Sequence, residues 1–431
     1  MKNVGVLAFF LCLLGLNVFL TFNYHSHGSR QSYHGALWAD RGGYFVYLPA
    51  TFQYGFDAAK FPAKADSLAG HGFTIDNSSG VVRTKYTYGV ALLELPFYLT
   101  AHGIGAIVGG REPAFGDIDH AVVCVASPVL VTVGIYLLFL LLRIRHNERT
   151  SLMSVFSLFA GSNLFFYTVG DPGMSHAFSF FLFAALLSAQ NRAFHETRIS
   201  ARSAIILGAL AGLILLVRPT NIIFLVASLF VGFHTLHEVV ERSWKFLSPS
   251  NIAWAALAAA LVWLPQFVYW KYAFGSYLTW PYTNEGFTEL TSPKFDLFWF
   301  STNNGALPYA PIFLLILVGM GILWRSGEKV LAVVSFATLM LVSYLGASWW
   351  VWHFGCGFGS RTLVEYFALF VFPFAATLNA MKLRWGRLLP VLVVLTLVIF
   401  ELKITYSYGA CWFEGDWNWS AYGNLIFGPT K

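Results

Sequence analysis

The chain has 431 residues, 57% of them hydrophobic and only 11% charged, with a formal net charge of +6. A soluble domain carries about 25% charged residues, so a water-soluble fold could not hide this much apolar surface, whereas a bilayer removes the need. The basic residues are spread over many loops, with no run of the kind that binds nucleic acid, and the 42 Phe and 15 Trp suit lipid-facing helices with interfacial aromatics.

Residues 4–22 form an apolar run directly after Lys2. The run is longer than the core of a cleaved leader, and Thr21-Phe22-Asn23-Tyr24 offers no small-residue cleavage site, so it reads as an uncleaved first span. About 20 apolar residues carry a helix across the hydrocarbon core. On that rule further spans are expected at 119–142, 150–169, 174–191, 203–217, 219–236, 251–273, 307–324, 329–347, 363–381 and 388–402, about eleven in all. Pro219, in Arg218-Pro219-Thr220-Asn221, breaks the 203–236 stretch, and Gly170-Asp171-Pro172-Gly173 breaks 150–191. Residues 89–109 are apolar enough to cross, but they carry Glu94, Pro96, His102 and Gly103. They are therefore assigned to the outer interface as an amphipathic or re-entrant helix.

Orientation follows from charge. With Lys2 in the cytoplasm, the inner loops carry Arg143/Arg145/Arg149, Arg192/Arg198/Arg202, Arg242/Lys245, Arg325/Lys329 and Lys382/Arg384/Arg387, and every one is basic. The short outer loops at 170–175 and 348–362 hold Arg361 as their only Lys or Arg. The long loop 23–118, the loop 274–306 and the tail 403–431 then fall outside. The expected fold is an all-α polytopic membrane protein, one domain over 1–431, with juxtamembrane helices on its outer face.

Polar residues at membrane depth are costly, so each invites a reason. Asp40, in Leu37-Trp38-Ala39-Asp40-Arg41-Gly42-Gly43-Tyr44, is either a solvated loop carboxylate or a base on an acceptor hydroxyl. Arg41 beside it could hold phosphate or keep Asp40 ionised. Arg83-Thr84-Lys85-Tyr86-Thr87-Tyr88-Gly89 places two cations where a lipid phosphate would lie. Asp171, His176 and Arg218 sit at the two breaks, where the plainer readings are helix ends and a snorkelling Arg. Arg361 and Glu365 are four apart, which puts both on one face of a helix. They follow Trp349, Trp350, Trp352 and a Gly-rich run that either stacks on sugar or forms an interfacial belt. Asn304-Gly305 reads as a structural turn. Cys12 and Cys124 are small hydrophobes within spans, whereas Cys356 and Cys411 both fall outside, where a disulfide can form. His25, His27 and His34 lack the spacing of a metal site.

Taken together, these segments resemble the GT-C superfamily of polyprenyl-phosphate-sugar-dependent glycosyltransferases. Ala39-Asp40-Arg41-Gly42-Gly43-Tyr44 after the first span, followed by Lys85-Tyr86-Thr87-Tyr88-Gly89, looks like the protein O-mannosyltransferases and the lipid A aminoarabinose transferases. Arg218-Pro219-Thr220-Asn221, Asn304-Gly305 with Pro311, and Gly357-Phe358-Gly359-Ser360-Arg361 look closer to bacterial GT-C-like proteins. The chain departs from the mannosyltransferase-like members, which show Lys-Pro-Pro where it has Lys85-Tyr86-Thr87. It also lacks the large domain that oligosaccharyltransferases carry after the last span, so en bloc transfer of a long glycan is not expected.

The resemblance implies an inverting hexosyl- or pentosyltransferase in the bacterial inner membrane, working on the periplasmic face. Its partners would be a polyprenyl-phosphate-linked sugar, an acceptor glycan, lipid or protein, and the bilayer. It further implies that Asp40 activates the acceptor hydroxyl and that Lys85, Arg218 and Arg361 are candidates to offset the phosphate charge. Arg41, Tyr86, Asp171, His176 and Glu365 would complete the substrate site. No cofactor is specified, and dependence on a divalent metal is left open. The rival reading is a transporter or flippase of a lipid-linked substrate, built on the same broken helices.

Overall fold

The computed structural model describes residues 2–109, 112–282, 285–409 and 415–429. Among them are seven helices long and apolar enough to cross a membrane: Val4–Ser26, Gly89–Val108, Asp117–Leu142, Pro249–Phe274, Lys329–Ala347, Phe367–Trp385 and Leu388–Ser407. The chain is an integral multi-pass membrane protein. Leu7, Leu11, Leu261, Leu264, Leu392 and Leu395 are exposed on the outer faces of these helices, where lipid takes the place of a core.

The expected eleven spans are not all present as single helices. Residues 150–169 divide into Glu148–Ala160 and Leu164–Val169 around Gly161-Ser162-Asn163. Ser154 and Ser157 there donate back to the carbonyls four residues earlier, and Ser151, Ser154, Ser157 and Ser162 are all fully buried. The segment thus packs inside the bundle. The expected 174–191 span is the helix Ser175–Phe194, buried along most of its length and too polar to count among the seven. Residues 203–217 form the 17-residue helix Ala201–Val217. The stretch 219–236 is helical only to Ser228, and 307–324 is interrupted before Ile312–Arg325, where Pro311 removes a donor. The all-α expectation needs one amendment. Thr74–Asp76 and Val81–Arg83 form an antiparallel hairpin with Ile75 opposite Val82, its turn held by Asp76 accepting from the amides of Ser78 and Ser79.

The basic loops gather at one end. Glu328 Oε2 lies 3.0 Å from Arg145 Nη1 and 3.2 Å from His234 Nδ1, joining three of them. Four helices start at this end behind side-chain caps, as Asn147, Ser200, Thr235 and Ser248 each accept an amide of the first turn. Gly89–Val108 makes contacts at the other end. Tyr98 there accepts from Gln53 at 2.8 Å, and His102 lies 2.7 Å from Asp119, in the first turn of Asp117–Leu142. Ala91, Leu92 and Leu95 cluster with Val122, Val123 and Cys124. The helix thus packs against the first turns of Asp117–Leu142.

Small residues decide how closely two helices approach. A Cβ on Gly208 would lie 2.2 Å from the Ala255 carbonyl oxygen, and one on Gly212 would lie 3.0 Å from the Ala259 Cα. Gly208→Val is expected to force Ala201–Val217 from Pro249–Phe274 and to cost about 1–3 kcal/mol. Thermal unfolding in detergent measures this, with Gly321→Ala, which meets nothing within 4 Å, as the silent comparison.

Candidate active site

At the end opposite the basic loops lies a cavity of about 620 Å³. Asp40, Arg41, Lys85, Tyr86, Asp171, His176, Arg218, Arg361 and Glu365 all line it. They arrive from separate places in the chain, so the convergence is a product of the tertiary fold.

Asp40 begins the helix Asp40–Phe45. The residue before it, Ala39, has φ of 52°, a conformation costly for a side chain with a Cβ. The bend is held by the Ala39 amide donating to the Ala69 carbonyl at 2.8 Å and by Gly72, whose missing Cβ leaves room for the Ala39 carbonyl. Asp40 itself is partly open to the cavity. The Tyr86 hydroxyl donates to its Oδ1, and Arg361 Nη2 lies 3.4 Å from its Oδ2. Burial works to raise its pKa, but Arg361, the Tyr86 hydroxyl, Lys85 and Arg41 outweigh burial and hold the carboxyl below 3.8.

Lys85 and Tyr86 are positioned by the strand before them. The Tyr269 hydroxyl accepts from the Thr84 amide at 2.7 Å, and the Tyr47 hydroxyl donates to the Tyr86 carbonyl at 2.6 Å. Lys85 Nζ lies 2.5 Å from Glu285 Oε1. Glu285 is a site residue that the sequence reading missed, since a lone Glu in a long loop carries no local signal. Arg83, paired with Lys85 in that reading, points elsewhere. It binds Asp76 at 2.8 Å and the Ala273 carbonyl at 3.1 Å.

Arg41 has a structural task. Its Nη1 meets Asp171 Oδ1 at 2.5 Å, its Nε donates to the Trp38 carbonyl at 3.0 Å, and its Nη2 donates to the Tyr33 carbonyl at 2.8 Å. Every guanidinium nitrogen is engaged, so Arg41 is not arranged to hold a phosphate. Asp171 thereby ties the break at 170–173 to the loop that follows Val4–Ser26, and its pKa is raised by burial that Arg41 and Arg361 only partly offset.

His176 and Glu365 form a buried pair, Nδ1 to Oε2 at 2.7 Å, and Arg218 Nη1 reaches Glu365 Oε1 at 3.2 Å. Arg218 Nη1 also lies 2.8 Å and 3.2 Å from the two ring nitrogens of His176. With the Nδ1 proton committed to Glu365, Nε2 of His176 is the ring nitrogen left to accept from Arg218. The expectation that Arg361 and Glu365 share one helix face is corrected here. Arg361–Leu363 is a 3-10 turn and regular helix begins only at Phe367, so the two side chains diverge to different partners.

Asn304, at φ of 61°, is the turn expected there. Its amide donates to the carbonyls of His353 and Gly355 at 3.1 Å and joins two outer loops. Trp349 and Trp350 line the cavity, whereas Trp352 is buried behind it. Cys356 is disulfide-bonded and Cys12 and Cys124 are free; Cys411 lies outside the described residues. Among the described residues no group of three His, Cys, Asp or Glu side chains is arranged to hold a metal ion.

Arg361 is the largest of the influences that lower Asp40. A carboxylate with a depressed pKa keeps its charge until the pH falls through that depressed value. The acid limb of kcat/KM is therefore expected below the ordinary carboxylate range. Arg361→Gln is expected to move it upward, read from a pH–rate profile.

No family model matches the chain, and no curated protein matches it. Two solved structures do. One is the archaeal oligosaccharyltransferase AglB from Archaeoglobus fulgidus in complex with an inhibitory peptide and a dolichol-phosphate, with a TM-score of 0.49 and 13% identity over 92% of this chain and 55% of that one. The other is the apo form of the Archaeoglobus fulgidus oligosaccharyltransferase, with a TM-score of 0.48 and 14% identity over 93% of this chain and 54% of that one. The chain spans about half the length of the structures it matches.

Proposed function

We propose that the chain is a membrane glycosyltransferase that moves a sugar from a polyprenyl-phosphate carrier to an acceptor hydroxyl, with inversion. The observation that carries this reading is the cavity itself. It holds a partly open carboxylate, Asp40, kept ionised by an Arg and a Tyr hydroxyl, with further cations close by. A transporter would use cavity cations too, but it has no need of a carboxylate kept ionised beside an aromatic wall.

In this reading the acceptor hydroxyl lies against Asp40. Its oxygen attacks the anomeric carbon as the bond from that carbon to the phosphate oxygen breaks, and the bonding pair leaves with the phosphate. The acceptor oxygen becomes strongly acidic as its new bond forms, so a carboxylate of low pKa suffices to take the proton at the end. Arg361 is set to meet the leaving phosphate while staying close to Asp40. Arg218, braced by Glu365 and His176, is the second cation, and a preorganised cation is worth most at developing charge. Lys85 must leave Glu285 to serve the same purpose. The active side is taken as the outer face, with Gly89–Val108 as a juxtamembrane helix.

The test is direct. The purified chain is given polyprenyl-phosphate sugars and candidate acceptors, and free polyprenyl phosphate is measured. Release that depends on acceptor supports transfer. Movement of intact lipid-linked sugar across proteoliposomes without release would instead make the chain a transporter.

A further inference from the structure

A second pocket, a cleft of about 720 Å³, lies at the basic end of the bundle, opposite the cavity. It is lined by Arg149, from the start of Glu148–Ala160, and by Lys382 and Arg387, which flank the turn between the last two long helices. These cations come from loops more than two hundred residues apart, yet they converge on one space. The one carboxylate in the cleft, Glu148, is already met by Arg143 at 3.2 Å. Among the described residues Arg149, Lys382 and Arg387 have no carboxylate partner within ion-pair distance.

Beside Asn147 and Thr150, the other lining is apolar. Met153, Pro390 and Val391 complete the cleft. Val391 continues into Leu392, Leu395 and Ile399, all exposed along the outside of Leu388–Ser407. Leu383, Trp385 and Leu388 flank it and are likewise exposed, with the Arg384 guanidinium 5.0 Å from the Trp385 ring centroid. Exposed Trp and Leu beside cations mark the level of the headgroups. A soluble anion would use only the basic wall. A lipid uses both walls, with its phosphate on the cations and its chain along the apolar stripe. We propose that this cleft binds the headgroup phosphate of an anionic membrane lipid.

Native mass spectrometry of the full chain, offered phosphatidylglycerol or phosphatidylcholine, tests this without any sugar transfer, so it stands or falls apart from the proposed activity. Each cation contributes about fivefold in affinity. The triple variant Arg149→Gln/Lys382→Gln/Arg387→Gln is expected to lose about a hundredfold in phosphatidylglycerol binding, and Lys382→Gln alone about fivefold. The single variant decides the matter if the triple one does not fold. Arg198→Gln/Arg202→Gln, in another basic loop, is expected to bind as the parent does, and excess inorganic phosphate is expected not to compete. The proposal is overturned if Lys382→Gln binds phosphatidylglycerol like the parent, if the 198/202 variant loses as much as the triple one, or if inorganic phosphate displaces the lipid.

Discussion

Asp40→Asn is expected to lower the rate of sugar transfer by about 10²–10⁴-fold, the range that a positioned acid or base supplies. The substitution keeps the shape of the side chain and the turn at Ala39, so folding is preserved. What it removes is the negative charge that Arg361 and the Tyr86 hydroxyl now face. Asn cannot accept the proton that the acceptor oxygen sheds, and its amide can no longer balance the guanidinium. KM for the lipid donor is expected to stay the same or fall, because Arg361 becomes freer to hold phosphate. Steady-state kinetics with both substrates varied reads the split. Transfer by Asp40→Asn at the parental rate would remove Asp40 from the chemistry.

Arg41→Ala is expected to destabilise the protein by about 3–5 kcal/mol, because it strands Asp171 as a buried and uncompensated charge. The pair is well enclosed, with the two side chains 7% and 12% exposed and 2.5 Å apart. Gly173 sharpens the effect, since a Cβ there would lie 2.9 Å from the Arg41 Cβ and the two segments are already in close contact. The double variant Arg41→Met/Asp171→Leu is expected to recover much of the loss, as apolar pairs of similar volume replace buried ion pairs well. Chemical denaturation in mixed micelles of the single and double variants measures this. Strict additivity of the two single losses would show that the two side chains do not act as a pair.

How much of this was legible in the sequence differs by element. Residues 329–347 are a helix with the expected bounds, and 119–142 and 251–273 are extended by only a few residues, because hydropathy summed along the chain needs no knowledge of neighbours. The segment 150–169 differs for the converse reason. Its serines satisfy themselves on their own backbone inside the bundle, so apolar length did not mean one continuous helix. At the site, the costly polar residues at the breaks were visible one by one. Their partners were not: Arg361 and Glu365 look like a helical pair at spacing four, yet they serve Asp40 and His176, respectively.

The sequence by itself therefore determined that the chain resides in a membrane, that its cations are concentrated in alternate loops, and that a handful of ionisable residues sit where burial is expensive. Those properties are local sums of transfer free energy and charge. Only the tertiary structure decided which carboxylate each cation meets. Arg361 and Asp40 are 321 positions apart, and Lys85 and Glu285 are 200 apart. Over such separations a pairing is set by how helices pack, which no window along the chain contains.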